Sequence, residues 1–565
     1  MTRAMGLKLL KGGAAAASGV LLWLAFPPQA QDDSAWLALV PLLLVVRHSA
    51  PKAAFGWAWL GGLVFWVSTL SWFPAIIKNG GPWPLVLLGQ VGLAAWCAAF
   101  FGLFAAASAT VWRWAGRASS VRRVAAALAV DPLLWAGCEF LRGWVLSGFA
   151  WNFLGVSQVE SRPMIQVASV VGVYGVSALV ILVNGALATL VERALAPFVS
   201  RFGGADWVEQ GAAPLAARAL RSAESLLPFL LVMACWTWGL ARVRGWELQA
   251  AQAPLWQIAL VQPNSPCVFE IDDAAIQRQV ALLVKQTQLA SAAKPDLTVW
   301  PETAVLGSVP DDPKTMRVIR DGAAAAGGAL LTGALEVERV KESPAAPEGF
   351  NFYNAAWLFS ATGEAMGRYR KRHLVPFGEY IPLDKAIPIL QRLAPTGLSC
   401  TPGRDAGVMH VAKGPGQELV LGPMICFEDT VPALSRQAVR GGATLLVLMT
   451  NDAWFNGSIE PAQHLNQSVF RAVENGVPLV RAANSGISCV VDAVGRIERL
   501  ESDGETMDFS GFLTTRIAVL PQPLAAPYTR WGDWPFAIPG ALAALALAGL
   551  GLFGGGKDVK RGGRL

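Results

Sequence analysis

Long uncharged apolar segments limit what this chain can fold into. A run of about 20 apolar residues can cross the hydrocarbon core of a bilayer as a helix. Eight segments are candidates: Gly12–Phe26, Ser34–Val46, Ala53–Ile77, Trp83–Trp112, Val124–Phe140, Met164–Val191, Leu226–Leu240 and Trp534–Phe553. Only 15% of the 565 residues are charged, whereas soluble domains have about 25%. We therefore predict a polytopic α-helical membrane domain with about eight spans.

Basic residues in the loops predict how these spans are oriented. Clusters of Arg and Lys precede the first span, separate spans two and three, four and five, and six and seven, and follow the eighth. Cytoplasmic loops are enriched in Lys and Arg, so both termini are expected in the cytoplasm. Arg242 and Arg244 depart from this pattern. The first span also fits a signal peptide, whose removal would leave the orientation unchanged.

The charged residues are concentrated between about Gln252 and Val519. There, short apolar strands alternate with helical segments such as Asp273–Ala290 and Glu460–Glu474, which is typical of a layered α/β domain. By the loop charges, this domain lies outside the cytoplasm. We predict three parts: an N-terminal membrane domain over residues 1–245, a catalytic domain over 246–522, and a last span with a basic cytoplasmic tail over 523–565.

The Cys and His residues give no sign of a metal or redox site. The seven Cys contain no C-x-x-C pair, and the four His are scattered, so neither a zinc site nor a thioredoxin-type site is predicted. The net charge of +6 comes mostly from loops beside apolar segments, which does not indicate nucleic-acid binding. We expect no metal, no cofactor and no nucleic-acid partner. Whether Cys267 and Cys400 form a disulfide is left open.

Three residues of the α/β domain can work together as a nucleophilic site. Taken singly, Cys426 is best explained as a core residue, Glu302 as a helix cap and Lys371 as a solvated charge. Together they suffice for acyl transfer: a thiolate attacks a carbonyl, a carboxylate moves the thiol proton, and an ammonium stabilises the oxyanion. Cys426 ends a strand before a helix, and both the helix amides and Lys371 would favour its thiolate. Glu379 is positioned in the sequence to orient Lys371.

The order of these motifs resembles a known family. Three motifs resemble the signatures of the nitrilase superfamily: Trp300-Pro301-Glu302, Arg370-Lys371 with Pro376-Phe377-Gly378-Glu379, and Ile425-Cys426-Phe427-Glu428. The fuller string from His373 to Tyr380, with flanking spans, is similar to the apolipoprotein N-acyltransferase family. Leu141-Arg142-Gly143-Trp144 and Pro527-Tyr528-Thr529-Arg530 also resemble that family. The resemblance covers nearly the whole chain.

The resemblance implies a nitrilase-like αββα sandwich and a set of site residues. The implied roles are Cys426 as nucleophile, Glu302 as general base, Lys371 as oxyanion partner, and Glu379 and Glu428 as supporting acids. Phe427, where the family can have Tyr, keeps an aromatic role and lacks the hydroxyl.

The implied reaction is the last step of lipoprotein maturation. A phospholipid, expected to be phosphatidylethanolamine, gives its acyl chain to Cys426 as a thioester, and the amino group of a diacylated apolipoprotein then takes it as an amide. The resemblance also implies a monomer in the cell inner membrane with a periplasmic catalytic domain. The main alternative is a membrane-tethered nitrilase-type amidase. A transporter has little support, because few ionisable residues lie inside the spans.

Overall fold

Helices build the N-terminal half of the chain. The computed structural model describes residues 3–116, 120–201, 215–266, 273–342, 349–382 and 399–554. The N-terminal helices are α1 (Arg3–Leu24), α2 (Ala35–Ala38), α3 (Val40–Arg47), α4 (Pro51–Thr69), α5 (Ala75–Lys78), α6 (Trp83–Ala115), α7 (Ser120–Ala125), α8 (Asp131–Arg142), α9 (Arg162–Ile165), α10 (Ala168–Val171), α11 (Val173–Arg201) and α12 (Leu215–Ala250).

Five helical segments of the described residues are long and apolar enough to cross a membrane. They are Met5–Leu24, Trp83–Ala115, Val121–Arg142, Val173–Leu195 and Ser222–Ala250. A sixth apolar helix, Ala537–Phe553, is shorter, with 17 residues. The predicted helical membrane domain is confirmed, whereas the count of about eight spans is not. The long helix in the predicted span Ala53–Ile77 ends at Thr69, and the predicted span Ser34–Val46 is not one helix.

The break in the segment Ser34–Val46 has a local cause. The segment forms α2 and α3, with Leu39 between them. Pro41 lies in the first turn of α3 and has no N–H with which to continue a helix from α2. The Leu39 amide donates to Asn184 Oδ1 of α11 at 2.8 Å, and Asn184 Nδ2 donates to Ala35 O at 2.9 Å. A side chain of a long neighbouring helix therefore satisfies the backbone groups at the break.

Two sheets form the centre of the C-terminal half. The strands are β1 (Leu255–Gln262), β2 (Leu297–Val299), β3 (Val305–Ser308), β4 (Ala329–Arg339), β5 (Phe350–Phe359), β6 (Ala365–Arg370), β7 (Met409–Gly414), β8 (Gln417–Ile425), β9 (Leu445–Thr450), β10 (Leu479–Ala483), β11 (Cys489–Val491), β12 (Ile497–Arg499) and β13 (Gly511–Ala518). One sheet has the order β13-β1-β2-β4-β5-β6, with β3 paired to β4, and the other has the order β12-β11-β10-β9-β8-β7. The central strands β1, β2 and β4 are parallel, as are β8, β9 and β10.

Helices cover the outer face of each sheet. They are α13 (Asp273–Ala290) and α14 (Pro313–Ala326) on the first sheet, and α15 (Pro432–Arg440) and α16 (Glu460–Asn475) on the second; α17 (Pro527–Trp531) and α18 (Ala537–Phe553) follow. Leu331 of β4 and Val447 of β9 belong to the buried cluster between the sheets. Their neighbours Leu330 and Leu446 belong instead to the clusters that include residues of α14 and of the α15–α16 layer, respectively, as the alternation of strand side chains requires. The predicted αββα sandwich is confirmed.

The second helical layer packs directly on the membrane domain. Gln463 of α16 accepts hydrogen bonds from Trp72 Nε1 at 3.2 Å and Trp151 Nε1 at 2.8 Å. It also donates to the carbonyls of Pro27 and Thr69, both at 3.2 Å. The hydrophobic cluster under α15 and α16 is continuous with that of the membrane helices. The sandwich is thus fixed to the membrane domain through this layer.

Candidate active site

The predicted site residues come together at one edge of the sandwich. Glu302 lies three residues after β2, Lys371 directly follows β6, and Cys426 directly follows β8. Strands β2 and β8 belong to the parallel parts of the two sheets, whose carboxyl ends carry functional residues in many α/β folds. Glu302 and Lys371 are 7% and 1% exposed, and Cys426 is half-buried.

Lys371 lies between two carboxylates. Its Nζ donates to Glu379 Oε1 at 2.9 Å and lies 3.4 Å from Glu302 Oε1. Burial alone would lower the pKa of Lys371, but Glu379, Glu302 and Cys426 hold it well above its ordinary value. Lys371 is therefore a fixed ammonium at neutral pH, close to the thiol.

Two further groups hold the carboxylates. Asn354 Nδ2, in β5, lies 2.7 Å from Glu302 Oε1 and 2.8 Å from Glu379 Oε1, so it bridges the two acids. The main-chain amide of Asn451, just after β9, donates to Glu302 Oε2 at 2.9 Å. Neither group is predicted from the sequence. Asn354 lies inside a strand, and any residue type can supply a main-chain amide.

Cys426 lies at a sharp turn between strand and helix. Its φ of 51° is in the left-handed region, which a residue with a side chain adopts at a cost and which is enriched at functional sites. Burial and the Glu302 carboxylate raise the pKa of the Cys426 thiol well above its ordinary value, against the opposing effects of Lys371 and Thr450. Lys371 favours the thiolate, as expected, but burial outweighs the ammonium, so the thiol of the resting site keeps its proton.

Glu428 holds main-chain segments together. Its Oε1 accepts from the amides of Arg372 at 2.7 Å and His373 at 3.1 Å, and its Oε2 accepts from the amide of Ile425 at 2.8 Å. The Tyr369 hydroxyl lies 2.8 Å from both oxygens. Glu428 thus ties the segment after β6 to the end of β8, and this geometry fits a supporting role.

Phe427 packs on a loop of the membrane domain. Its ring stacks on Phe149 and Trp151, with centroids 6.0 and 6.2 Å away, and on His373 at 5.8 Å. Arg142 fixes that loop, because its Nη1 donates to the carbonyls of Phe149 and Trp151, both at 2.7 Å. The residue after Cys426 therefore joins the site to the membrane domain through aromatic contacts.

A group of metal-binding residue types lies beneath the turn at Cys426. Asp452, Glu460 and His464 each offer a ligand atom, all within 4.8 Å of one another. However, Arg481 Nη2 donates to Asp452 Oδ2 at 2.8 Å and lies 3.0 Å from His464 Nδ1. A guanidinium already supplies the positive charge there, so the group forms a buried ion network.

The open question of a Cys267–Cys400 disulfide stays untested, because Cys267 lies outside the described residues. Cys400 itself lies next to the site, since its amide donates to Glu379 O at 2.7 Å. The domain boundaries at residues 245 and 522 and the roles of the individual site residues also stay predictions.

Two family models match this chain, one in each half. Residues 18–186 match the family described as the apolipoprotein N-acyltransferase N-terminal domain, and residues 257–507 match the carbon-nitrogen hydrolase family. Among solved structures, Nit3 of Saccharomyces cerevisiae, a nitrilase-superfamily member, is 18% identical over 47% of this chain and 90% of its own, with a TM-score of 0.35.

Curated relatives match over most of the chain. The apolipoprotein N-acyltransferase of Geobacter metallireducens is 35% identical over 85% of each chain. That of Azotobacter vinelandii is 32% identical over 94% of this chain and 93% of its own. The chain belongs to the apolipoprotein N-acyltransferase family.

Proposed function

We propose that this protein transfers an acyl chain from a phospholipid to the α-amino group of an S-diacylglyceryl-cysteine at the start of an apolipoprotein. One observation carries the proposal: the Cys426 thiol lies beside the Lys371–Glu302 pair and, through Phe427, against the membrane domain. Both substrates are lipids whose reacting groups lie near the bilayer surface. A site fixed to membrane helices meets them there at high effective concentration.

The first half-reaction forms a thioester. Glu302 takes the proton of the Cys426 thiol, and the sulfur attacks the ester carbonyl of the donor, for which phosphatidylethanolamine is the proposed head group. The Lys371 ammonium stabilises the oxyanion. The C–S bond forms, the ester C–O bond breaks, and Glu302 returns the proton to the departing lysophospholipid. A base is needed because burial keeps the thiol protonated.

The second half-reaction forms the amide. The lipoprotein amine attacks the thioester carbonyl, the C–S bond breaks, and the amine proton passes through Glu302 to the sulfur of Cys426. The oxyanion again meets Lys371. Water competes with the amine for the thioester, so the burial of Glu302 and Lys371 supports transfer over hydrolysis. An amidase would use the same residues and release the free acid.

We also propose the orientation that the loop charges predict, with the site in the periplasm and both termini in the cytoplasm. We further propose that the protein is a monomer of the cell inner membrane. A test is labelling of single engineered surface cysteines in intact cells with a membrane-impermeant maleimide. Position 418, exposed in β8, should react before lysis, whereas position 122, exposed in α7, should react only afterwards. The reverse pattern would refute the orientation.

Substitution of the nucleophile tests the reaction. Cys426→Ala is expected to abolish N-acylation of a synthetic diacylated lipopeptide in phospholipid micelles, while the protein stays folded and monodisperse. Cys489→Ala, at a buried thiol in β11, is the matched control and should keep its activity. Near-normal N-acylation by Cys426→Ala would contradict the mechanism. If the wild-type thioester is hydrolysed at a rate that added amine does not change, the amidase is favoured.

A further inference from the structure

His464, on α16, connects two loops of the site. Its Nε2 lies 2.9 Å from Asp429 Oδ1, and its Nδ1 lies 3.1 Å from Asp452 Oδ1. Asp429 belongs to the helical turn Cys426–Thr430, which begins at the nucleophile. Asp452 lies two residues after the end of β9. The three residues are at most 1% exposed, so water does not replace these contacts.

The Asp452 side of this bridge reaches the reacting groups. The Thr450 hydroxyl donates to Asp452 Oδ1 at 2.7 Å and is also a hydrogen-bond partner of the Cys426 thiol. The next residue, Asn451, gives its main-chain amide to Glu302 Oε2. A displacement of these three consecutive residues would therefore move the partners of both the nucleophile and the base.

Other side chains complete the network and limit its freedom. Arg481 Nη2 donates to Asp452 Oδ2 at 2.8 Å, and its Nη1 lies 3.4 Å from Asp429 Oδ2. The Ser468 hydroxyl donates to Asp429 Oδ2. Arg481 can pair both carboxylates, but it approaches each through Oδ2; His464 alone of these groups binds the Oδ1 of both.

We propose that His464 is a positioning residue for acyl transfer. Through Asp429 it holds the turn that carries Cys426, and through Asp452 it holds the segment whose amide binds Glu302. It thereby fixes the position of the turn relative to that segment. It does not touch the lipid, so its loss should slow the chemical step and leave substrate binding unchanged. A misplacement of about 1 Å between reacting groups can cost about 100-fold in rate. The inference rests on the proposed function, because thioester formation is its readout.

The first test variant keeps an aromatic ring at position 464 and removes its hydrogen bonds. His464→Phe keeps an aromatic side chain against Trp151, whose centroid is 5.6 Å from the imidazole, but removes both hydrogen bonds. The single-turnover rate of acyl-Cys426 formation from phosphatidylethanolamine micelles should fall at least about tenfold, with the KM for phospholipid unchanged within about twofold. His464→Gln, which keeps a donor toward Asp429, should react at least about threefold faster than His464→Phe.

Asn475→Ala is the matched control on the same helix. Asn475 is also buried, and its Nδ2 donates to Ser435 Oγ at 3.1 Å and Arg471 O at 2.9 Å, away from the nucleophile turn. This variant should be less stable and yet react at the wild-type rate per folded molecule, with the folded amount taken from thermal unfolding in detergent.

The outcomes separate this inference from the proposed function. A wild-type protein that forms no acyl-Cys426 refutes the proposed function. If the wild type forms it, the inference is overturned by a wild-type rate in His464→Phe, by a loss confined to KM, or by a Gln variant no faster than the Phe variant. Should His464→Phe not fold, His464→Gln carries the test: slower acylation at unchanged KM supports the inference, and wild-type kinetics overturn it.

Discussion

The two helical layers of the sandwich differ in what lies outside them. In α14, five of 14 residues are buried, and in α16, 14 of 16 are. Both helices carry their apolar residues on one side, so by sequence each should turn its polar face to solvent. The polar face of α14 does so, whereas that of α16 meets the membrane domain through Gln463 and the site through His464. Gln463 and His464 of α16 are therefore paired structural contacts.

This difference gives a clear expectation for substitutions. Removal of a polar group from the α16 layer leaves its partners buried and unpaired, which is costly. The same change in the α13–α14 layer removes a solvated group and costs little. Four predictions test this contrast, each by unfolding of the purified protein in detergent.

The largest effect is expected from Arg481 of β10, a buried guanidinium that contacts Ser468 and His464 of the α16 layer. Arg481→Met leaves the Asp429 and Asp452 carboxylates without their cation and should lower the free energy of unfolding by about 3–5 kcal/mol. The same substitution at the exposed Arg320 of α14 should change it by at most about 0.5 kcal/mol. Equal effects at the two positions would contradict the contrast between the layers.

Gln463→Leu should cost about 2 kcal/mol, because two indole N–H groups and two carbonyls lose their partner. Gln288→Leu, at an exposed position of α13, is the control and should be almost neutral. Chemical unfolding followed by tryptophan fluorescence measures both. A neutral Gln463→Leu would mean that the contact between α16 and the membrane domain adds little stability.

Stability should fall as the pH rises above neutral. Burial and Arg481 lower the pKa of His464, but Asp429 and Asp452 outweigh them and raise it to about 10. The folded protein then keeps a proton that the unfolded chain loses above a pH of about 6.5. The stabilisation is therefore complete below that pH and lost by about 10, at up to about 1.4 kcal/mol per pH unit. Burial also raises the pKa of Glu460 to about 8, which acts in the same direction up to that pH.

Comparison of the wild type with His464→Gln isolates the contribution of the imidazole. Between about pH 7 and 9 the variant should show a shallower decline of unfolding free energy, because one proton-binding group is gone. Parallel declines in the two proteins would show that His464 is not charged in the folded state.

The smallest effect is expected at the start of α14. Asp312 caps this helix: its Oδ1 accepts from the Lys314 amide at 3.1 Å and its Oδ2 from the Thr315 amide at 3.2 Å. Asp312→Ala should cost about 1 kcal/mol and leave N-acylation unchanged. A loss of activity larger than the loss of folded protein would mean that the α14 layer also affects the site.

The interior of the sandwich was predictable from sequence, and its edges were not. The central strands β1, β2, β4, β8, β9 and β10 are apolar runs, the pattern from which the layered α/β domain was predicted. The strands at the four edges of the two sheets are β6, β7, β12 and β13. Edge strands border solvent and carry polar residues, as Arg368 and Arg370 do in β6, so no apolar run marks them.

The site was predictable where a reactive residue type follows a strand. Glu302 and Cys426 were found in this way, whereas Lys371 was found in a dense charged motif; the spatial relation of the three was implied by family resemblance. Asn354 and His464 were not found, because their roles depend on burial between elements far apart in the sequence. The protonation of Cys426 was missed for the same reason: neighbouring charges can be inferred from motifs, but desolvation depends on the complete fold.

The central claim is that Cys426 carries the acyl chain. The most direct measurement is mass spectrometry of peptides from the purified protein after incubation with phospholipid and before addition of a lipopeptide. An acyl mass on the Cys426 peptide, lost on adding the diacylated lipopeptide, is the predicted result. An acyl adduct found only on another residue, with transfer still complete, would contradict the account.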